Sequence, residues 1–218
     1  QAVEAGRQFP ITLTPEKKMT LDEVKAVLRN HYDGTEHDPY GKGLNGQEPW
    51  RPISVFRTYE AHVMQVRPWM PREVGEVTYV GLGMADLTAF VPYYSGLEAY
   101  PVHYALGSDK ADSDSIYWKY RKLQTLVMTD YPKLAPMVKQ AYQSWEAKIA
   151  NEQKEMEASY LKTVKTDKAA ANSLLNDFNL RVMKDAEALT DDLTNQVFTV
   201  RTQDIQADIF FANKAKKD

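Results

Sequence analysis

Cysteine is absent from all 218 residues. That excludes disulfides, thiolate metal sites and any thiol nucleophile carried by this chain itself. It says little about compartment, because cytosolic and exported proteins alike manage without the residue. Long apolar runs are lacking too. No stretch approaches the roughly 20 consecutive apolar residues of a membrane-spanning helix, and the most apolar segment, Val77 to Val91, is interrupted by Gly81, Gly83 and Asp86. An excess of charge is also missing. A net charge of −3 and a pI near 5.9 leave no electrostatic case for nucleic acid or an anionic membrane as partner. The chain opens on Gln1 with no apolar signal region after it. Export is not readable at this end, and a cytoplasmic location is the working expectation.

What is present suffices for a core: 43% of residues are hydrophobic and 26% charged, the proportions of an ordinary globular protein. Thr20-Leu21-Asp22-Glu23 reads as a capping box, with Leu21, Val24, Val27 and Leu28 following at helical spacing. A helix over about 21–31 is expected, then a loop rich in Gly, Pro, Asp and Asn over 33–52. From Ile53 to Arg67 the composition turns β-like, with Val, Ile, Thr, Tyr and Phe dense. The Pro68-Trp69-Met70-Pro71 turn separates this strand from a second, Val74 to Leu82, and the two are expected to pair antiparallel. A short third strand is expected over Thr88 to Val91, ending before Pro92.

The character changes near Gly107, so residues 1–107 read as an α+β part and residues 108–218 as a helical region packed on the same domain. Ile116 to Thr129 reads as helix. Pro132 suits a first helical turn, and Pro136 implies a late start or a kink in the helix over 132–163. Leu134, Val138, Ala141, Trp145, Ile149, Met156 and Tyr160 form its apolar stripe. A last helix, about 169–199, carries Leu175, Phe178, Val182, Leu189, Leu193 and Val197. Joined by the polar link Lys165 to Lys168, the two long helices read as an antiparallel hairpin with Trp145 in the contact.

Motifs are few. Gly41-Lys42-Gly43-Leu44-Asn45-Gly46 matches a dinucleotide fingerprint by letter, but a helix precedes it and a strand follows. That context inverts the strand-then-helix order the phosphate site needs. The four histidines, His31, His37, His62 and His103, show no i, i+4 pair for a helical zinc site, so neither metal nor other cofactor is expected. His62, mid-strand beside Glu60 and Thr58, reads first as a hydrogen-bonded structural histidine and second as a catalytic one. Arg51, Arg57 and Arg67 frame the strand. Their rigid donor forks suit carboxylate or oxyanion recognition, and for Arg57 a structural ion pair and a substrate contact are equally open.

The segments Glu48-Pro49-Trp50-Arg51-Pro52-Ile53-Ser54 and Thr58-Tyr59-Glu60-Ala61-His62-Val63-Met64-Gln65-Val66-Arg67 resemble the cysteine dipeptidases of lactic acid bacteria. So do Tyr79-Val80-Gly81-Leu82-Gly83, Val91-Pro92-Tyr93-Tyr94 and Val27-Leu28-Arg29-Asn30-His31-Tyr32-Asp33-Gly34-Thr35. The resemblance covers residues 15 to about 200 and is strongest over 20–95. It implies the C-terminal part of an N-terminal-nucleophile hydrolase: an αββα sandwich of antiparallel strands, followed here by the helical hairpin. In that family the nucleophile is a cysteine exposed as the first residue of the mature enzyme, its own α-amine serving as base.

The substrates would be dipeptides, attacked through an acyl-enzyme, and the nucleophile would lie in a missing N-terminal half. The carry-over of site residues is limited. Related hydrolases place an arginine near the nucleophile, which matches Arg51 first and Arg57 second, while Thr58 and His62 match family positions without an assigned role. The resemblance leaves open whether identical chains associate. Two other readings stand beside the leading one: a non-enzymatic binding or scaffold domain that keeps the fold, and one subunit of a processed heterodimer.

Overall fold

A computed structural model describes residue 12 and residues 14–41 and 51–215. The Gly41–Gly46 match therefore falls largely outside the described residues. Over the described residues the architecture is α+β, a three-stranded antiparallel sheet with helices packed on one face.

Helix α1, Leu21–Arg29, begins with the expected capping box: Thr20 Oγ1 accepts the Glu23 N–H at 3.2 Å, and the Glu23 carboxylate accepts the Thr20 N–H at 2.8 Å. Strand β1, Glu60–Val66, pairs antiparallel with β2, Glu76–Leu82, in the register His62 to Val80 and Met64 to Thr78. The expected hairpin is therefore present, although β1 is shorter than the sequence suggests. Residues 53–59 are not strand, because their backbone groups are satisfied elsewhere. The Ser54 N–H donates to the Asn30 carbonyl at 2.9 Å and the Thr58 N–H to the Val55 carbonyl at 3.0 Å, while Arg121 takes the Phe56 and Thr58 carbonyls. The start of β2 is likewise delayed by a one-turn helix α2, Arg72–Gly75, that occupies Val74.

Strand β3 is Val91–Tyr94, later than the 88–91 expectation, and it runs through Pro92. The sheet order β1-β2-β3 makes β3 an edge strand, where a proline forfeits no ladder bond on its free side. Between β2 and β3 the chain turns at Gly83, whose φ of 77° lies in the left-handed region glycine tolerates. Gln124 locks this corner, accepting the Met84 N–H at 3.1 Å and donating to the Leu82 and Leu87 carbonyls at 2.9 and 3.2 Å. A 3-10 turn at Ala85–Leu87 follows.

Gln124 belongs to α3, Ile116–Met128, which leads into α4, Tyr131–Thr163, and α5, Lys168–Ala215. Pro136 lies inside α4, one turn from its start, and does not end it. Helix α5 continues about four turns past the expected 199. The two long helices are antiparallel, as contact pairs running in opposite directions show: Lys133 to Asp204 at 2.6 Å, Tyr142 to Thr190 at 2.9 Å, Glu152 to Arg181 at 2.6 Å and Tyr160 to Asn172 at 3.3 Å. Their facing stripes include Val138, Tyr142, Ile149, Val182, Met183 and Leu193, all buried, with Trp145 8% exposed.

The sheet has two unlike faces. Val77, Tyr79 and Tyr94 point into the core, where Gln153 of α4 donates to both tyrosine hydroxyls at 3.3 and 3.1 Å. On the other face Met64 and Val66 are 70% and 65% exposed beside Thr78. Apolar residues left in water at alternate strand positions describe a sheet covered on one side only by this chain.

Candidate functional site

Two buried groups hold the described parts of the segment that joins α1 to β1. The first is Arg121, on α3 and 8% exposed. Its guanidinium donates to the Phe56 carbonyl and, at 2.5 Å, to the Thr58 carbonyl. It also donates to the Tyr117 hydroxyl at 3.1 and 3.3 Å and lies over the Phe56 ring at 4.7 Å. A planar fork reaching two carbonyls either side of one residue fixes that turn more tightly than a lysine could. The residue between the two clamped carbonyls is Arg57.

The second group surrounds His31, which is fully buried. Helix α1 ends just before it, and Tyr32, at a φ of 65°, turns the chain immediately after. The ring Nδ1 lies 2.9 Å from Asp38 Oδ1; Nε2 lies 2.8 Å from the Tyr131 hydroxyl and 3.2 Å from Asp86 Oδ2. The Tyr131 hydroxyl donates to Asp86, and Lys139 pairs with Asp86 at 3.1 Å and Asp33 at 2.9 Å.

Burial alone would push the His31 pKa down. The hydrogen bonds and charges of Asp86 and Asp38 outweigh that and raise it above the usual histidine value. Asp86 is the mirror case: burial works to raise its pKa, and the bonds from His31 and Tyr131 together with the Lys139 charge bring it below the usual carboxylate value. Donor atoms of His31, Asp33 and Asp38 come within 4.8 Å of one another. Both imidazole nitrogens are already engaged by protein groups, so the trio is part of an ion-pair network rather than a set of open ligands.

The two groups are joined. Asp38 Oδ1 also accepts the Tyr40 N–H at 2.9 Å, and the Tyr40 hydroxyl accepts the Phe56 N–H at 3.2 Å. Ser54, fully buried, accepts the Asp86 N–H on its Oγ at 3.0 Å. A continuous chain of bonds therefore runs from the His31 ring to the turn that carries Arg57.

Of the residues singled out from sequence, Arg51 and Arg57 are exposed, at either end of the Pro52–Phe56 segment, and Thr58 is half-buried with its carbonyl on Arg121. His62 lies further on, in β1, with Met64 and Val66 on the open sheet face. Its Nδ1 meets Glu60 Oε1 at 2.6 Å, the hydrogen-bonded arrangement read first from sequence. Sequence reasoning missed His31, Asp86, Tyr131 and Arg121. They come together from positions up to 100 residues apart, as in the His31–Tyr131 pair, and no local spacing announces such a contact.

Three clefts adjoin these groups, the smallest, of about 370 Å³, walled by Asp33, Asp38, Tyr131 and Lys139 of the His31 network. One of about 550 Å³ lies against α3 and is lined by Trp118, Lys119, Arg121, Lys122 and Leu126, with Asp191 opposite. Another, of about 470 Å³ between α1 and α4, is walled by Arg29, Asp33, Asp86, Lys139 and Glu146. Glu146 ties that wall together, accepting from Lys25 at 3.3 Å, Arg29 at 2.5 Å and the Phe90 N–H at 2.8 Å. This cleft carries more acids than bases, and its two cations are already paired, Arg29 with Glu146 and Lys139 with Asp33 and Asp86, so it is no ready site for an anion. It offers no thiol, since the chain has none.

Among proteins of known class, the model for peptidase family C69 matches residues 1–144, and the chain belongs to that family. A probable dipeptidase of Salmonella dublin is 52% identical over 108 residues, half of this chain and 24% of that protein. A probable dipeptidase B of Lactococcus lactis is 30% identical over 115 residues, 52% of this chain and 24% of that protein. A probable dipeptidase of Latilactobacillus sakei is 28% identical over 201 residues, 89% of this chain and 40% of that protein. The chain thus spans well under half the length of the relatives it matches. Among the described residues no helix is long and apolar enough to cross a membrane.

Proposed function

We propose that this chain is the C-terminal portion of a dipeptidase that works through a cysteine acyl-enzyme, with the nucleophile on a part of the protein outside these residues. One combination carries the reading: the chain belongs to a peptidase family, matches only 22% to 40% of its dipeptidase relatives, and has no cysteine. The open sheet face with Met64 and Val66 supports it, because a second layer laid there would complete the sandwich. In this reading the thiolate attacks the peptide carbonyl and its α-amine relays the proton to the leaving amine. Water then cleaves the thioester to release the acid and regenerate the thiol.

This chain would supply charge to that reaction. Arg57, on the turn clamped by Arg121, and Arg51, at the other end of the Pro52–Phe56 segment, are the groups to stabilise the developing oxyanion or hold the substrate carboxylate, with Thr58 and His62 as further contacts. The companion would be the remainder of the same protein, and the site cytoplasmic.

The isolated 218-residue chain is expected to show no turnover of dipeptides, and the longer protein containing it to show clear turnover. In that longer protein, Arg51→Ala or Arg57→Ala should lower kcat/KM by about a hundredfold, the scale of losing one oxyanion donor. Two variants that fold and stay fully active would remove both arginines from the mechanism. Persistent turnover by the rigorously purified isolated chain would overturn the missing-nucleophile reading. A start codon immediately before Gln1 would favour the non-enzymatic scaffold reading, and an in-frame cysteine far upstream the dipeptidase.

A further inference from the structure

The hydrogens of the His31 network have a single economical arrangement. The one hydroxyl proton of Tyr131 goes to Asp86, so the tyrosine oxygen can only accept from His31 Nε2. The Asp38 carboxylate, already receiving the Tyr40 N–H, accepts from Nδ1. Both ring nitrogens must then carry hydrogen, and His31 is an imidazolium held between two carboxylates. We propose that this imidazolium is a proton-linked latch: protonated, it locks residues 31–41 and the 54–58 turn onto α4 and the Ala85–Leu87 turn, and loss of its proton releases them.

The geometry assigns each element a fixed point. Asp38 and Tyr40 belong to the loop, Asp86 to the 3-10 turn, and Tyr131 and Lys139 to α4. A neutral imidazole has one N–H, so it would leave either the Asp38 carboxylate or the Tyr131–Asp86 pair without a donor in a buried site. Losing such a charge-assisted bond while its partner stays buried is among the more expensive local changes a fold can undergo. The disturbance passes along the Asp38–Tyr40–Phe56 bonds and the Ser54–Asp86 bond to the turn bearing Arg57.

The groups facing His31 fix the pH window. They are Asp33, Asp38 and Tyr40 from the loop, Asp86 from the 3-10 turn, and Tyr131 with Lys139 behind Asp86 from α4. Tyr131 and Lys139 are both raised from values already far above neutral, first against or through burial and then by Asp86, so His31 titrates before them as pH rises. Its own raised value means that its contribution is complete below the ordinary histidine pKa and is lost as pH climbs through the folded-state value. The lowered Asp86 value adds an acid limb: its contribution is present above the ordinary aspartate pKa and lost only as pH falls through that lowered value. The latch is therefore closed from mild acid up to the ordinary histidine pKa and opens only as pH climbs above it.

The consequence for catalysis rests on the dipeptidase reading, but the latch itself is testable on this chain without any substrate. Nitrogen-15 NMR of the His31 ring should show both nitrogens protonated below the ordinary histidine pKa, with a midpoint above the roughly 6.5 of a free histidine. Amide-exchange protection at Ser54 and Phe56, corrected for intrinsic rate, should fall across that same midpoint. The fall should be about tenfold per pH unit by which the midpoint exceeds that of the released loop. Asp86→Asn should lower the midpoint and weaken protection. Asp38→Asn, which removes the charge facing Nδ1, should do so even if the first variant folds poorly, and exposed His62→Gln should change neither. A midpoint at or below that of a free histidine, protection flat across the titration, or a midpoint unmoved by both variants would each overturn the latch. A titrating latch combined with a longer protein that shows no dipeptide turnover would leave the latch standing and remove the functional reading; the opposite pair of results would do the reverse.

Discussion

Trp145→Ala tests the helical hairpin most directly. Trp145 sits in α4 with its indole 8% exposed, between Tyr142 and Ile149 on the stripe that faces α5. Truncating a buried Trp to Ala costs about 3–5 kcal/mol, from lost transfer energy plus the cavity left behind. One local feature lowers the figure. The indole N–H has no hydrogen-bond partner among the described residues, and an unsatisfied buried donor already costs the folded state about 1–3 kcal/mol. Removing it recovers part of that sum, which places the expected loss near 3 kcal/mol. Trp145→Phe separates the two contributions: it keeps most of the apolar volume and deletes the donor, so it should cost less than about 1 kcal/mol. Urea unfolding followed by far-ultraviolet circular dichroism reads both variants through the shift in midpoint at unchanged slope. A loss below about 1 kcal/mol for Trp145→Ala would place the indole outside the core and undo the α4–α5 packing described above. A large loss for Trp145→Phe would mean that the indole N–H has a partner the geometry does not show.

Arg121→Lys keeps the charge but cannot reach the Phe56 and Thr58 carbonyls together, and should cost about 2–3 kcal/mol on the scale of charged hydrogen bonds. Faster amide exchange confined to residues 54–58 should accompany it, and unchanged exchange there would deny Arg121 its hold on the turn. Arg67→Ala removes one partner of a largely buried pair in which Glu157 accepts at 2.8 and 2.7 Å, leaving the carboxylate with only the Tyr94 hydroxyl. A loss of about 3–5 kcal/mol is expected by urea unfolding. The double change Arg67→Met with Glu157→Leu should recover most of it, and no recovery would show that the pair contributes more than its own desolvation consumes.

How much was legible in the sequence depends on how far apart the causes lie. The capping box at Thr20–Glu23, the β1–β2 pairing and the antiparallel hairpin rest on periodicity and local chemistry, so a reader of residues alone can find them. The extent of β1 was overread because β-rich composition at 53–59 reports side chains, whereas strand formation depends on where the backbone bonds go. Those bonds go to Asn30, Tyr40 and Arg121, from three separate parts of the chain. Pro92 misled for a related reason: the rule against proline in strands is a rule about central strands, and edge position is a property of the sheet rather than of the residue. The same logic explains the site. Arginines in a β-like segment suggest charge chemistry, and Arg51 and Arg57 could be named on type alone. The groups that fix their turn, His31, Asp86, Tyr131 and Arg121, are ordinary letters in ordinary helices and loops until the fold brings them together. A buried histidine that needs two carboxylates to keep its charge is visible only once both carboxylates are in place, and His31 draws one from seven residues away and the other from beyond β2.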